Sequence, residues 1–271
     1  MAGLRVTVCL PAKAPGGDLA AAIGAAMAPF EEDHTSDEAR DIWDSWTIRG
    51  GSDGCGYFVA PGHADDPRLV HDTPWSDGEE LPSLPGMSAG GPRETLDFTQ
   101  PRTRARAALR SGWELWRRIH TDGRPVRPLS WFETRYESEH AVCPGPEAFW
   151  DYAAQPEVRE FHDRWSRMKD IPGMLNFGYS TIRDLDSWFA GDREEFVERE
   201  APRALRHFGD LLTLDGWWIE AGRSDAGVHG PCGEPVPCEH APHDPLCLTD
   251  PVNYLESLRD DTLLVTLRCH V

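Results

Sequence analysis

The two ends of this 271-residue chain carry the pattern that most constrains its fold. Apolar and polar residues alternate over positions 4–10 and again over positions 263–271. A two-residue period is typical of a half-buried strand, because successive side chains point to opposite faces of a sheet. The sequence therefore predicts a strand at each end, and neighbouring positions in one sheet are the simplest arrangement for them.

Helical signals lie between these two strands. Asp18 is placed to cap a helix over 19–27, which Pro29 stops. Further helices are predicted over 102–120, 146–154, 156–168, 185–189, 193–212 and 251–258, and further strands over 46–49, 57–59, 129–135, 174–180 and 217–220. Because no regular βα repeat occurs, the fold class is α+β with a mixed or antiparallel sheet, for which a ferredoxin-like core is one arrangement. We expect a single domain over 1–271.

Two segments break this pattern. Proline, glycine and aspartate dominate 61–101, which we interpret as a surface insertion or a lid. Residues 222–250 are rich in proline, cysteine and histidine, and we expect an irregular loop there.

Charge and cysteine usage limit the classes of function. The formal net charge of −19 argues against sequence-independent nucleic-acid binding, which requires cationic side chains over phosphates. No stretch approaches the roughly 20 apolar residues of a membrane span, and the start lacks the pattern of a secretory signal. Seven cysteines without an export signal favour reduced thiols or a metal site over disulfides. We therefore expect a soluble, cytoplasmic protein; the sequence does not predict its oligomeric state.

The stretch over 42–59 is the first candidate ligand site. Its two strands flank Asp53-Gly54, a pair that favours a tight hairpin. Aromatic rings can stack on a planar ligand, an arginine can clamp an anion, and glycines let a ligand approach the backbone. The candidate ligand-binding residues are Trp43, Trp46, Arg49, Gly50, Gly51 and Tyr57. The alternative is that the aromatic residues fill the core.

His270 and Asp44 are the candidate catalytic residues. His270 lies on the more polar face of the terminal strand. If this strand lies beside the hairpin, His270 can meet Asp44 or Arg49 and act as an acid, a base or a ligand clamp. The alternative is a structural, hydrogen-bonded histidine.

Three stretches resemble a loosely defined group of uncharacterised actinobacterial and phage proteins. They are MAPFEE over 27–32, WDSWTIRGG over 43–51 and DTLLVTLRCHV over 261–271. Arg268 stands where that group has an aspartate before the Cys-His pair. The resemblance implies a phage or actinobacterial setting, and it implies no activity.

The loop over 229–247 is the candidate metal site. Zinc prefers four thiolate or imidazole ligands, which short-spaced pairs such as His229/Cys232 and Cys238/His240 can supply. The candidate ligands are Cys232, Cys238, His240, His243 and Cys247, and a bound zinc ion would be structural. The alternative is a proline-rich surface loop with incidental cysteines and histidines.

Three functions are compatible with the sequence. The first is a small-molecule-binding protein, or an enzyme, with its site beside the 42–59 stretch and the terminal strand. The second is an acidic, non-enzymatic factor of phage type that binds a protein partner. The third is a zinc-dependent enzyme that uses the 229–247 segment.

Overall fold

The computed structural model describes residues 3–12, 18–32, 42–74, 81–122, 126–140, 146–167, 184–205, 209–220, 227–232 and 241–270. The chain divides into two compact units. One comprises 1–101 and 205–271, and the other comprises 102–204. The sequence-based expectation of a single domain stays a prediction.

The first unit is built on a seven-stranded mixed sheet. Its strands are β1 (Gly3–Leu10), β2 (Ser45–Ile48), β5 (Gly90–Pro92), β7 (Asp210–Leu212), β8 (Trp217–Ile219), β9 (Gly227–His229) and β10 (Leu263–His270). The order is β2-β10-β1-β7-β8-β9, and β5 also pairs with β10. β1 and β7 are parallel neighbours, which departs from a ferredoxin-like core, whereas the other neighbours are antiparallel.

The predicted neighbouring position of the terminal strands is confirmed. β1 and β10 pair over their full length, from Gly3 opposite His270 to Leu10 opposite Leu263. The alternation explains the two faces of this pair. Val6 and Leu267 lie opposite each other in the buried core, whereas Arg268 on the other face is exposed. The α+β fold class is likewise confirmed.

Helix α1 (Leu19–Met27) packs its apolar side against this core face. The Asp18 carboxylate caps the helix by accepting hydrogen bonds from the backbone N–H groups of Ala20 and Ala21, as predicted. A short 3-10 helix, Ala28–Phe30, follows it. Phe30 lies 5.2 Å from Trp218 between ring centroids, which joins the helix end to β8.

The predicted hairpin over 46–59 is wrong, although both of its strands form. β2 pairs with β10, whereas β3 (Tyr57–Val59) belongs to a separate three-stranded sheet with β4 (Met87–Ser88) and β6 (Leu96–Asp97). The intervening chain closes on itself, because the amides of Cys55 and Gly56 both donate to the Gly50 carbonyl. This closure directs β3 away from β2.

The segment over 61–101, expected to be a surface insertion or lid, contributes three strands. β4, β5 and β6 all lie within it, and Val70 pairs with Gly90 in an isolated bridge. Leu69, Val70 and Met87 are buried. These parts belong to the body of the first unit, and a covering role for the exposed remainder stays a prediction.

The 222–250 segment is less irregular than expected within its described part. It contains β9 and the short helix α8 (Leu246–Thr249), and α9 (Pro251–Ser257) follows it as predicted. The helix predicted over 193–212 ends at Leu205, and its last residues form β7 instead. These residues pair in parallel with β1, and Asp210 also accepts a hydrogen bond from the buried Trp218 indole at 2.8 Å.

The second unit is helical in its described residues. Its helices are α2 (Thr99–Asp122), α3 (Leu129–His140), α4 (Pro146–Ala153), α5 (Pro156–Ser166), α6 (Leu185–Trp188) and α7 (Arg193–Leu205). Aromatic residues form its core, with Phe161 5.7 Å from Trp116, 5.5 Å from Trp165 and 5.4 Å from Phe189 between ring centroids.

The strand predicted over 129–135 is wrong, because α3 covers those residues. The ring centroids of the buried Phe132 and of Tyr152 in α4 lie 6.2 Å apart, so tertiary packing of aromatic residues outweighs their strand propensity here. The strand predicted over 174–180 lies outside the described residues.

Candidate functional site

The sheet of the first unit has one polar, solvent-facing area where β1, β10 and β2 lie side by side. The register places Arg5 opposite Arg268, Arg268 opposite Thr47, and His270 opposite Ser45. Residues in one row of a sheet point to the same side, and alternate residues of one strand do too. We call this area the open face; it comprises Arg5, Ser45, Thr47, Arg268 and His270.

An acid–base pair lies at the end of the open face. His270 Nδ1 is 2.7 Å from Asp44 Oδ2. The Ser45 hydroxyl donates to Asp44 Oδ1 at 3.0 Å, and the Asp44 amide donates to the His270 carbonyl at 3.2 Å. Both carboxylate oxygens and the backbone are therefore engaged, which fixes the orientation of the pair. The two candidate catalytic residues predicted from sequence are thus brought together.

The pair is accessible and polarised. The side chains of His270 and Asp44 are 46% and 44% exposed. The hydrogen bond from His270 lowers the pKa of Asp44, and the bond from Ser45 acts in the same direction. A carboxylate bound to Nδ1 leaves Nε2 of the imidazole as the atom that can exchange a proton with a ligand.

Two arginines supply positive charge in the adjacent row. Directly opposite side chains on neighbouring strands have Cβ atoms about 5 Å apart, and like charges there repel. Arg5 is partly neutralised by Asp53 of the 50–56 loop, at 3.3 Å from Nη2 to Oδ2. Within the described residues, Arg268 forms no ion pair, and it is exposed.

The predicted aromatic ligand residues lie in the core. Trp43 is 6% exposed, and its indole N–H donates to the Met27 carbonyl at 3.2 Å. Trp46 is partly buried against the same apolar cluster. Tyr57 is buried on the side of the sheet that carries Arg5 and Thr7, with its hydroxyl 3.4 Å from Thr7 Oγ1, and burial raises its pKa. The core-filling alternative thus describes Trp43 and Tyr57, and a ligand role for them stays a prediction.

The polar part of the predicted ligand site interacts with the protein's own chain. Arg49 is buried, and its guanidinium donates to the Thr73 carbonyl. The Asp72 carboxylate accepts hydrogen bonds from the amides of Gly51 and Ser52 at 2.9 and 3.1 Å. Arg49, predicted to clamp an external anion, thus donates to a carbonyl of its own chain, and Asp72 binds the amide of Gly51.

Gly50 is needed for a close backbone approach. A Cβ atom at this position would lie 2.8 Å from the Gly56 Cα atom and 3.1 Å from the Gly56 nitrogen. The glycines of this stretch therefore allow the loop to close, and ligand contact is not required to explain them.

The predicted metal ligands are only partly assembled in the described residues. The Sγ atom of Cys232 lies 3.1 Å from His229 Nδ1. The amide of His243 donates to Asp215, and Cys247 is fully buried in α8, where desolvation raises its pKa to about 11. Cys238 and His240 lie outside the described residues. Within the part of the chain that the structure covers, no three metal-ligating side chains converge.

Sequence reasoning missed the arginines and hydroxyls of the open face. The signal was present, since Arg268 and His270 occupy alternate positions of a strand whose other face is apolar. The register that brings Arg5, Ser45 and Thr47 beside them is a long-range property, which no local pattern reveals.

Comparison with protein-family models, curated proteins and solved structures finds no match to this chain. The resemblance to actinobacterial and phage proteins therefore stays a prediction. Among the described helices, none has both the length and the apolar character required to cross a bilayer.

Proposed function

We propose that the chain binds a small anionic ligand on the open face and that His270, oriented by Asp44, exchanges a proton with this ligand. The observation that carries the proposal is the 2.7 Å contact between His270 Nδ1 and Asp44 Oδ2 beside a row of two arginines, of which Arg268 is exposed. The Asp44 carboxylate is held at both oxygens, by Ser45 and His270, which fixes the orientation of the imidazole.

The proton-transfer part follows from the orientation of the imidazole. A carboxylate on Nδ1 selects the tautomer and stabilises the imidazolium ion, so that Nε2 can serve as a general acid or base. Positioned proton transfer of this kind typically contributes about 10²- to 10⁴-fold to a reaction rate.

The positive charge of the arginine row on the open face favours an anionic ligand. The whole chain carries a formal charge of −19, which disfavours anions in general. Arg5 and Arg268 nevertheless occupy one row of the open face, and the hydroxyl of Thr47 adds a hydrogen-bond donor. A phosphate or carboxylate group would relieve the repulsion between the two guanidinium groups and bind in the fork geometry that arginine favours.

Titration calorimetry with inorganic phosphate at low ionic strength tests the binding part. Arg268→Gln removes the exposed guanidinium, and hydrogen bonds to charged groups are worth about 1.5–3 kcal/mol. We therefore expect phosphate affinity to fall by roughly 10- to 150-fold. Arg259→Gln is the matched control: it removes the same charge from the first unit, at a guanidinium that is 83% exposed and pairs with Asp261 away from the open face. Equal affinity in both variants would refute the assignment.

Turnover of a panel of phosphate and carboxylate esters tests the proton-transfer part. His270→Gln and Asp44→Asn should each lower any activity found by about 10²-fold or more. His63→Gln is the control, because His63 forms another histidine–aspartate contact, partly buried and 3.5 Å from Asp66, outside the open face. A panel without turnover would leave a binding protein and remove the catalytic half of the proposal.

A protein-interaction role is the second candidate, and exposed tryptophans in the second unit favour it. Trp131 is 38% exposed and Trp150 is 50% exposed, on the packed helices α3 and α4. The Arg127 guanidinium lies 4.1 Å from the centroid of the Trp131 ring. Exposed tryptophan and arginine are the residue types that dominate binding energy at protein interfaces. Loss of a purified partner on Trp131→Ser, with unchanged phosphate binding, would support this role.

A further inference from the structure

A carboxylate of the protein itself lies beside the arginine row of the open face. Asp53 Oδ2 is 3.3 Å from Arg5 Nη2, and the two side chains are 33% and 32% exposed. Arg5 makes this contact through a single nitrogen, so in the described part of the chain its bidentate fork is not filled. Ion pairs at this exposure contribute little to stability, so Arg5 can exchange Asp53 for another anion at small cost.

The position of Asp53 is set by its own loop. Asp53 Oδ1 accepts a hydrogen bond from the Cys55 amide at 2.9 Å. The loop in turn is closed by the amides of Cys55 and Gly56, which donate to the Gly50 carbonyl at 3.1 and 2.8 Å. One oxygen of the carboxylate is therefore held by the backbone, and the other is presented to Arg5.

A ligand that binds Arg5 must compete with this internal carboxylate. A free monocarboxylate offers the same chemical group and charge as Asp53, and it loses translational freedom on binding, whereas Asp53 is already tethered beside the arginine. A phosphate dianion carries a second charge and a third acceptor oxygen. Because Arg5 and Arg268 are directly opposite each other, those oxygens can contact both guanidinium groups. The arrangement therefore favours phosphate dianions over monocarboxylates.

We propose that Asp53 is a specificity-determining residue that competes with the ligand for Arg5, so that the open face selects a phosphate dianion over a monocarboxylate. When the ligand binds, a phosphate oxygen replaces Asp53 Oδ2 at Arg5, and other oxygens contact Arg268. Asp53 keeps its hydrogen bond from the Cys55 amide, so the loop stays closed. This inference rests on the proposed function, because it names the class of anion that the open face binds.

Titration calorimetry of the full chain at low ionic strength tests the competition, with inorganic phosphate and acetate as probes at about pH 8, where phosphate is mostly a dianion. Wild type should bind phosphate about tenfold or more tightly than acetate. Asp53→Asn removes the charge and keeps an oxygen for the Cys55 amide, and it should raise phosphate affinity roughly three- to tenfold. Asp261→Asn is the matched control and should change little, because Asp261 is another arginine-paired aspartate of the first unit, 2.8 Å from Arg259 and away from the open face.

The outcomes separate this inference from the proposed function. Phosphate binding that Arg268→Gln weakens and Asp53→Asn does not strengthen would overturn the inference and leave the proposed function standing. Equal phosphate affinity in wild type and in both variants would overturn the two together. An equal gain in Asp53→Asn and Asp261→Asn would be an effect of net charge alone, and it would also overturn the inference, as would wild type that binds acetate as tightly as phosphate.

A crystal structure of wild type with phosphate gives a second measurement that does not depend on a variant. Phosphate should contact Arg5 and Arg268, and Asp53 Oδ2 should lie beyond hydrogen-bonding distance of Arg5. Phosphate bound on the open face with the contact between Asp53 and Arg5 retained would overturn the competition and leave the binding site itself in place.

Discussion

Replacement of Gly50 separates loop closure from ligand contact. In Gly50→Ala the new methyl group would lie 2.8 Å from the Gly56 Cα atom, 3.1 Å from the Gly56 nitrogen and 3.3 Å from the Ala89 Cα atom. Ordinary carbon–carbon contacts need about 3.5–4.0 Å. All three neighbours are backbone atoms, so no side-chain rotation can relieve the clash. The backbone at Gly50 must move away from the backbone at Gly56 and Ala89 by roughly half an ångström or more.

The magnitude follows from measurements of overpacking. An added methylene in a packed interior typically costs about 1–3 kcal/mol, and we expect Gly50→Ala to lower the free energy of unfolding by that amount. Gly24→Ala is the matched control in the same unit. No atom lies within 4 Å of a Cβ at Gly24, which is in the middle of α1, so alanine should stabilise the helix by about 0.5–1 kcal/mol.

Urea unfolding followed by circular dichroism measures both variants. The two free energies of unfolding should differ by about 1.5–4 kcal/mol, and the two variants should change in opposite directions relative to wild type. Phosphate affinity of folded Gly50→Ala should stay near wild type, because Gly50 lies outside the open face. A variant with wild-type stability that loses ligand binding would refute this reasoning and restore the glycines as a ligand site.

Three further predictions concern packing and titration. Gly112→Ala should destabilise the second unit by about 1–3 kcal/mol in urea unfolding, because its Cβ would overlap the buried Trp165 ring; unchanged stability would contradict the packing. In a carbon-13 NMR titration, Asp44 should ionise below its usual value of 3.8, and His270→Gln should return its pKa toward that value. Since the folded-state pKa is lowered, the stabilisation from Asp44 is present above the unfolded pKa and is lost as the pH falls through the folded pKa. An Asp44 titration midpoint that is the same in wild type and in His270→Gln would refute the pairing. Cys9 is 3% exposed and burial raises its pKa, so native protein at pH 8 should leave it unmodified by iodoacetamide, and rapid labelling would contradict its placement.

The two terminal strands could be predicted from sequence, because the alternation within each strand indicates which of its residues face the core. The alternation over 4–10 and 263–270 reflects one apolar core face and one more polar face, which is exposed at Arg268 and buried at Thr7 and Thr266. Two such strands satisfy each other's hydrogen bonds most directly as neighbours. The cap at Asp18 is equally local, since the side chain bonds amides two and three residues ahead. Signals of this kind depend only on adjacent sequence.

The hairpin failed because strand pairing is not a local property. Asp53-Gly54 does form a turn, with Gly54 at φ 73°, but the loop over 50–56 is fixed by Gly50 and by the distant Asp72. Nothing within 46–59 indicates that β10 provides a better partner for β2 than β3 does. The same limit applies to α3, where packing between Phe132 and Tyr152 decides the structure.

The candidate site contains one feature that could be predicted from sequence and one that could not. The pairing of His270 with Asp44 was predictable once the terminal strand and the 42–59 stretch were placed together, because both residues lie at strand ends. The arginine row was not, since Arg5 and Arg268 are 263 positions apart and meet only through the full register of β1 and β10.

That register also has a consequence for binding. Like charges directly opposite on neighbouring strands lower the stability of a sheet, and Asp53 compensates only Arg5. Arg268→Thr should therefore raise the free energy of unfolding by up to about 1 kcal/mol, since the repulsion is removed and threonine favours strands. The same substitution should weaken phosphate binding if the open face is the site. Gain of stability together with loss of affinity would identify Arg268 as a residue retained for its ligand, whereas loss of stability would mean that the fold itself requires the guanidinium.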